Sequence, residues 1–293
     1  MHSASISSRR IGDATVTLIA EGSCLWAPRF AVSEDARRAA MPDADPDGRI
    51  PIAFTTAHLS IGGASIVIDP GLDDPGSSWD RAFAGRWPGY TRTAGLAAAL
   101  QALRIHPEDV THVLITHAHD DHFAGVVVER SRGQEARFPR ARHFIGRADW
   151  EDNPKRGDPA TDLEGRLGAI ARLGLLDVVD GEREVVPGVS MFHSPGETPG
   201  HYAVRVKSRG ESFYHVGDLF HHACEVAHPD WTPPKRDPAI VRRSRERLLA
   251  EAAASSATVV FTHERFPGWG RIATAPDGFR WERTDGSPDA MLP

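Results

Sequence analysis

Short runs of alternating apolar and polar residues recur along the chain, divided by Gly, Pro and Asp, and longer runs with helical spacing lie between them. "ATVTLIAEG" (14–22) alternates and predicts a strand. "FTTAHLSIGGASIVIDPG" (54–71) predicts a hairpin, with a Gly62-Gly63 turn and a buried strand Ser65–Ile68 that ends at Asp69. "TAGLAAALQALRI" (93–105) carries good helix formers at helical spacing, with Pro107 beyond its end. "VTHVLIT" (110–116) is a β-branched strand that delivers Thr116 and His117 to its C-terminal end.

The second half repeats this grammar. "ARHFIGRADWED" reads as a strand followed by a helix start, and "DLEGRLGAIARLGLL" as a helix. Strands follow in "DVVDGEREVVPGVSMFHS", "HYAVRVKS" and "ESFYHVGD". "PAIVRRSRERLLAEAAAS" is an amphipathic helix whose Arg/Glu alternation reads as a solvated face, and "ATVVFTH" is a last buried strand. Strands with helices between and after them in both halves imply an α/β chain: two mixed sheets with helices on both outer faces, an αββα sandwich in one domain spanning 1–293. Residues 22–51 and 72–92, rich in Pro, Asp and aromatics, are expected to be loop excursions over the surface.

Three buried-looking strands end near a metal-ligand type of residue: "HVLITH" at His117, "FYHVGD" at Asp218 and "TVVFTH" at His263. A fourth place, "SPGETPGH", sets His201 on a rigid Pro/Gly turn just before a strand. Strand ends are where a stiff scaffold aims side chains into one cleft. The densest cluster is "THAHDDHFAG" (116–125), which crowds three imidazoles and two carboxylates onto one turn. A bound cation explains that crowding, and nitrogen with carboxylate ligands suits zinc or a similar divalent ion. His117 and His119 alternate on an extended turn and can share one ion, while Asp121 and His122 point elsewhere and can hold a second. Two such ions need a bridging anion, for which Asp218 is the natural candidate.

His117-x-His119-x-Asp121-His122, followed in order by His201, Asp218 and His263, resembles the signature of the metallo-β-lactamase superfamily. The resemblance runs from "IVIDPG" to "THERFPGWG". "GDLFHH…VAHPDW" and "FPGWGRI" make it most similar to the branch that contains methyl parathion hydrolase and the acyl-homoserine lactonases. It implies the metallo-β-lactamase αββα fold and two divalent ions, zinc by expectation. His117, His119 and His201 would hold the first, Asp121, His122 and His263 the second, and Asp218 would bridge them. It also implies a hydrolase in which a metal-bridging hydroxide cleaves small neutral esters, lactones preferred, with Asp121 and Asp218 as catalytic residues. Phosphotriester or aryl ester hydrolysis on the same site stands as the alternative, and an iron-dependent redox enzyme of the same fold as a further one. One departure stands out: the usual "GHTPGH" turn here reads "GETPGH", and Glu197 is expected to reach neither ion.

Around this set, Asp69 is expected to orient a ligand histidine. His221, His222, Trp26 and Phe30 are candidates for substrate contact. Asp73, Asp74, Glu197 and Glu225 are expected at an acidic mouth that disfavours anionic substrates. The other histidines read as structural. The 293 residues carry 15 histidines, a formal net charge of -6 spread along the chain, and only two cysteines. The charge argues against nucleic acid as a partner, and Cys24 and Cys224 imply no disulfide framework. No stretch has the apolar length of a signal peptide core or a membrane span, so a cytoplasmic enzyme with a small-molecule substrate and no membrane partner is expected. A homodimeric state is left open.

Overall fold

A computed structural model describes residues 5–131 and 133–285. The expected domain of 1–293 therefore extends beyond the described residues. In chain order the strands are β1 (Ser5–Ile11), β2 (Ala14–Trp26), β3 (Ile50–Ile61), β4 (Ala64–Ile68), β5 (Thr91–Arg92), β6 (His112–Leu114), β7 (Val127–Arg130), β8 (Gly133–Ala136) and β9 (Arg142–Gly146). They continue as β10 (Leu176–Val179), β11 (Arg183–Val186), β12 (Val189–His193), β13 (Tyr202–Ser208), β14 (Glu211–His215), β15 (Thr258–Val260), β16 (Gly270–Ala275) and β17 (Gly278–Arg283). The helices are α1 (Glu34–Ala40), α2 (Ser78–Ala84), α3 (Gly95–Ala102), α4 (Asp120–Phe123), α5 (Arg147–Trp150), α6 (Gly168–Arg172), α7 (Cys224–Ala227) and α8 (Pro238–Ala254).

Among the described residues, one sheet runs β1-β2-β3-β4-β6-β9-β10 with β5 against β2, and a second runs β11 to β17 in sequence order. Both are mixed: β4, β6, β9 and β10 are parallel neighbours in the first, and β14 with β15 in the second. The two-residue period of a strand explains the layers. Val16, Leu18, Ile66, Ile68, Leu114, Val204, Val206 and Val260 share one core between the sheets. Their neighbours Ile19, Val67 and Val113 point outward into a second core with Leu96 and Leu100 of α3 and Ile170 of α6. Ala203, Tyr214 and Val259 point outward on the other sheet and pack with Leu248 and Leu249 of α8. The αββα sandwich follows directly from these alternations. Among the described residues no helix is long and apolar enough to cross a membrane.

Three expectations need correction. Segments 22–51 and 72–92 are not loops throughout: β2 extends to Trp26, α1 and α2 form within them, and β3 begins at Ile50. They close on a core of their own, in which Phe30, Trp79, Phe83 and Leu72 bury against Phe54 of β3. Second, α8 is not solvated over all its charged positions. Arg245 is fully buried and donates to the carbonyls of Leu219 and Trp231 at 2.7 and 2.6 Å, as well as to Glu225. Third, β1, the β7–β8 hairpin and the β16–β17 hairpin form where the apolar pattern predicts no strand. β1 is largely polar, with Ile6 and Ile11 its only apolar residues, so its apolar period is weak.

Candidate metal centre

Parallel neighbours end on the same edge of a sheet, and this edge carries the site. Leu114 ends β6 three residues before His117, His215 ends β14 three before Asp218, and Val260 ends β15 three before His263. Asp69 follows directly on β4, with a left-handed φ of 48° that turns its carboxylate under the histidine loop. It accepts from Thr116 N at 2.7 Å and Thr116 Oγ1 at 2.8 Å, and faces His122 Nδ1 at 2.9 Å.

The rings are held from behind. His263 Nδ1 faces the Ala53 carbonyl at 2.8 Å, His201 Nδ1 the Ser194 carbonyl at 3.0 Å, and His117 Nδ1 the Thr116 hydroxyl at 3.1 Å. A partner on Nδ1 sets the tautomer that leaves Nε2 free to ligate. His122 Nε2 lies 3.2 Å from Asp218 Oδ1, and His263 Nε2 lies 3.1 Å from Asp218 Oδ2. Asp121 Oδ2 comes within 3.8 Å of His122 Nε2 and 3.5 Å of His263 Nε2. His117 Nε2 and His119 Nδ1 are 2.9 Å apart, and His117 Nε2 is 3.7 Å from Asp218 Oδ2.

Two groups of donor atoms, each within 4.8 Å of one another, emerge on the two sides of Asp218: His117, His119, Glu197 and Asp218, and Asp121, His122 and His263. A third group joins Asp218 and His263 to His221. His201 is fully buried beside them, its Nε2 3.2 Å from the Asp218 backbone N–H, but it is not in the His117 group. His122 Nε2, Asp218 Oδ1 and Glu197 Oε2 are buried without a hydrogen-bond partner. Unsatisfied donors and acceptors facing one space are costly unless a cation is shared among them, so the residues fit divalent metal.

The electrostatics agree. Burial pushes the His201 ring down to about 3, and drives His117 well below the ordinary imidazole range, helped by His122 and His119. Both therefore stand neutral, as ligands must. Burial also opposes the charge on His263, yet Asp218 and Asp121 outweigh it and raise that ring to about 9. Asp218 goes the other way: burial is overcome by His122, His263 and His221, which hold its carboxyl well below the usual range.

Several expected neighbours fall elsewhere. Glu197 lies close in: Oε1 is 3.4 Å from His119 Nδ1, and the turn 198–200 that follows is pinned at both ends. Thr198 Oγ1 donates to Asp149 Oδ2 at 2.7 Å and Gly200 N to Asp149 Oδ1 at 2.8 Å. A Cβ at Gly200 would stand 2.3 Å from the Asp149 backbone N, so only glycine allows this approach. Asp149 also accepts from Ala118 N at 2.7 Å, tying this turn to the His117 loop. No sequence signal in "GRADW" points to that role. His221 is an inner residue, 3.3 Å from Asp218 Oδ2 and stacked on Trp26 at 4.9 Å. His222 faces Asp43 at 3.6 Å in the lining of the cavity beside the donors, and Phe30 packs on Trp231.

The acidic mouth is corrected as well. Asp73 is buried against Arg166 at 2.9 Å, Asp74 pairs with Arg137 at 2.9 Å, and Glu225 is buried against Arg245. The opening beside the donors is a cavity of about 390 Å³ that reaches His221, His222 and His263, with Pro42, Cys224 and Trp281 among its walls. Among its charged residues Arg265 pairs with Asp43 and Arg283 with Glu264, while Arg280 pairs with Glu282 outside the lining. Cys24 and Cys224 are both free and buried, and burial with Asp121 nearby pushes the Cys24 thiol up to about 12.

Residues 59–263 match the family model of the metallo-beta-lactamase superfamily. The chain is 25% identical over 150 residues to the N-acyl homoserine lactonase of a Bacillus species, a match that covers 49% of this chain and 54% of that one. It thus spans about half the length of the first curated relatives it matches. It is 27% identical over 245 residues to the N-acyl homoserine lactonase AttM of Azorhizobium caulinodans, covering 78% of this chain and 88% of the relative. Among solved structures, the dizinc quorum-quenching lactonase AidC, in complex with a product, superposes with a TM-score of 0.75 over 98% of this chain and all of that one, at 21% identity. That likeness speaks to the fold.

Proposed function

This chain belongs to the metallo-beta-lactamase superfamily, and from that premise we propose that it is a metal-dependent hydrolase of small neutral esters, lactones above the rest. The observation that carries the reading is the convergence of two donor groups on Asp218, whose Oδ1 and the facing His122 Nε2 are buried and unpartnered. In this reading His117, His119 and His201 hold one divalent ion and Asp121, His122 and His263 a second, with Asp218 shared. Zinc is the ion that such imidazole and carboxylate ligands suit best. Bound there, the pair of ions would lower the pKa of water toward neutrality and polarise the ester carbonyl.

The chain's own residues supply the rest. Asp121 is the carboxylate of the inner set with the most solvent access, its side chain 15% exposed, which suits it to carry a proton to the leaving oxygen. His221, stacked on Trp26, lines the cavity beside His263, where it can border a bound acyl compound. The cavity is of a size that takes a small acyl compound. The lactonase relatives support the choice of lactones among neutral esters.

The test is kcat/KM on the metal-loaded protein for lactones, aryl esters, phosphotriesters and an anionic phosphate monoester, at one pH and low ionic strength. Neutral lactones should rank first. A phosphotriester in first place would replace this reading with the alternative, and a tenfold preference for the anion, lost in high salt, would end it.

A further inference from the structure

We propose that Glu197 is an eighth protein ligand of the centre, added to the ion held by His117 and His119. The inference rests on the di-metal reading of the same site. Glu197 has a side chain only 2% exposed, and its two oxygens face different things. Oε1 is gripped by the Arg236 guanidinium and lies 3.4 Å from His119 Nδ1. Oε2 is buried, accepts no hydrogen bond, and lies 3.8 Å from His221 Nε2. Glu197 belongs with His117, His119 and Asp218 in one group of donor atoms within 4.8 Å of each other.

A structural role for the carboxylate would be complete with Arg236, since one guanidinium can take both oxygens in a fork. Here Arg236 takes Oε1, the oxygen that also faces His119, and leaves Oε2 buried and unpartnered 3.8 Å from His221 Nε2, so the carboxylate keeps acceptor capacity for an ion with Arg236 as its outer anchor. The placement is fixed rather than incidental, because Asp149 holds Thr198 and Gly200 just beyond Glu197. The consequence is electrostatic. With Asp121, Asp218 and Glu197 the centre carries three carboxylates in place of two, so its formal charge when loaded falls by one. A lower charge holds divalent ions more tightly and attracts anionic substrates less.

The experiment compares wild type, Glu197→Gln and Arg236→Gln, each stripped of metal and titrated with Zn2+ against a chromogenic chelator, with a Co2+ absorption spectrum on each. Glutamine keeps the size of the side chain and can still accept from Arg236, so the fold is retained, as circular dichroism will check. Wild type should take two ions. Glu197→Gln should weaken one of them at least tenfold and change the Co2+ spectrum, while Arg236→Gln changes both far less. Affinities within twofold of wild type in Glu197→Gln would overturn the proposal. So would an equal loss in both variants, which would make Glu197 only an anchor for Arg236. If wild type holds fewer than two ions, the di-metal reading itself fails, and with it this one, before the variants are compared.

Discussion

A single buried carboxylate organises more of this site than any one ligand. Asp69 receives the backbone and hydroxyl of Thr116 and faces His122 Nδ1, so it sets both the start of the histidine loop and the tautomer of one ring. Asp69→Asn keeps the shape but offers an amide with one acceptor oxygen where three contacts need two. The His122 ring then loses its anionic partner, and affinity for metal should drop on the order of 10–100-fold. Chelator competition measures it, and an unchanged affinity would show that Asp69 only shapes the turn. Asp69 was legible through the family resemblance, since a "DPG" turn by itself reads equally as a strand terminator. Glu197's place beside His119 was not legible, because the turn that follows it is held by Asp149, 48 positions upstream, whose contacts no local pattern encodes.

At the level of elements, α8 does more than cover a sheet. Arg245, one turn into its charged run, passes under α7 and pairs with Glu225. Glu225 in turn accepts from the backbone N–H groups of His221 and His222, so the helix positions the wall of the cavity through one buried ion pair. Removing one partner leaves the other charged and dry, which costs about 3–5 kcal/mol. Arg245→Met should lose that much in urea unfolding of the full chain. A loss within about 0.5 kcal/mol, the range of an ordinary surface substitution, would return Arg245 to the solvated face that its sequence suggests. Amphipathic spacing identified the helix correctly but not this residue, because arginine at a face boundary reads the same whether it reaches water or a buried carboxylate.

For the molecule as a whole, stability and metal are linked through histidine. Burial lowers His58 and His143 from 6.5 to about 4, so the folded state keeps them neutral. Their contribution is complete above pH 6.5 and is lost as pH falls from there toward 4, where the unfolded chain has already taken up the protons. His263 has the opposite sign. Raised from 6.5 to about 9 chiefly by Asp218 against the cost of burial, it stabilises the metal-free fold below pH 6.5, and that gain is lost as pH rises through 9. Each limb is on the order of a few kcal/mol, since every tenfold change in a group's proton affinity on folding is worth about 1.4 kcal/mol. Urea midpoints from pH 5 to 9 should therefore fall on both sides for chelator-treated protein. Loading with metal should remove the alkaline fall, since a cation replaces the proton between His263 and Asp218. If the alkaline limb is the same with and without metal, the charge of that pair does not govern stability.

The period of the apolar residues by itself determined the two sheets, the helices on their outer faces, and the strand ends from which His117, Asp218 and His263 project. Those features are local or nearly so, because alternation and turn chemistry act over a few residues. The family resemblance carried by the order of the histidines and aspartates named His117, His119, Asp121, His122, Asp218 and His263, which the fold brings into neighbouring donor groups. Tertiary structure alone decided the surroundings of those ligands: Asp149 holding the turn after Glu197, Arg245 reaching Glu225, His221 facing Asp218 and His222 facing Asp43, and the acidic residues of the supposed mouth each matched with an arginine. These depend on side chains distant in sequence meeting across a dry interior, where an unmet charge is too costly to leave. Which partner meets it is settled by packing and not by pattern.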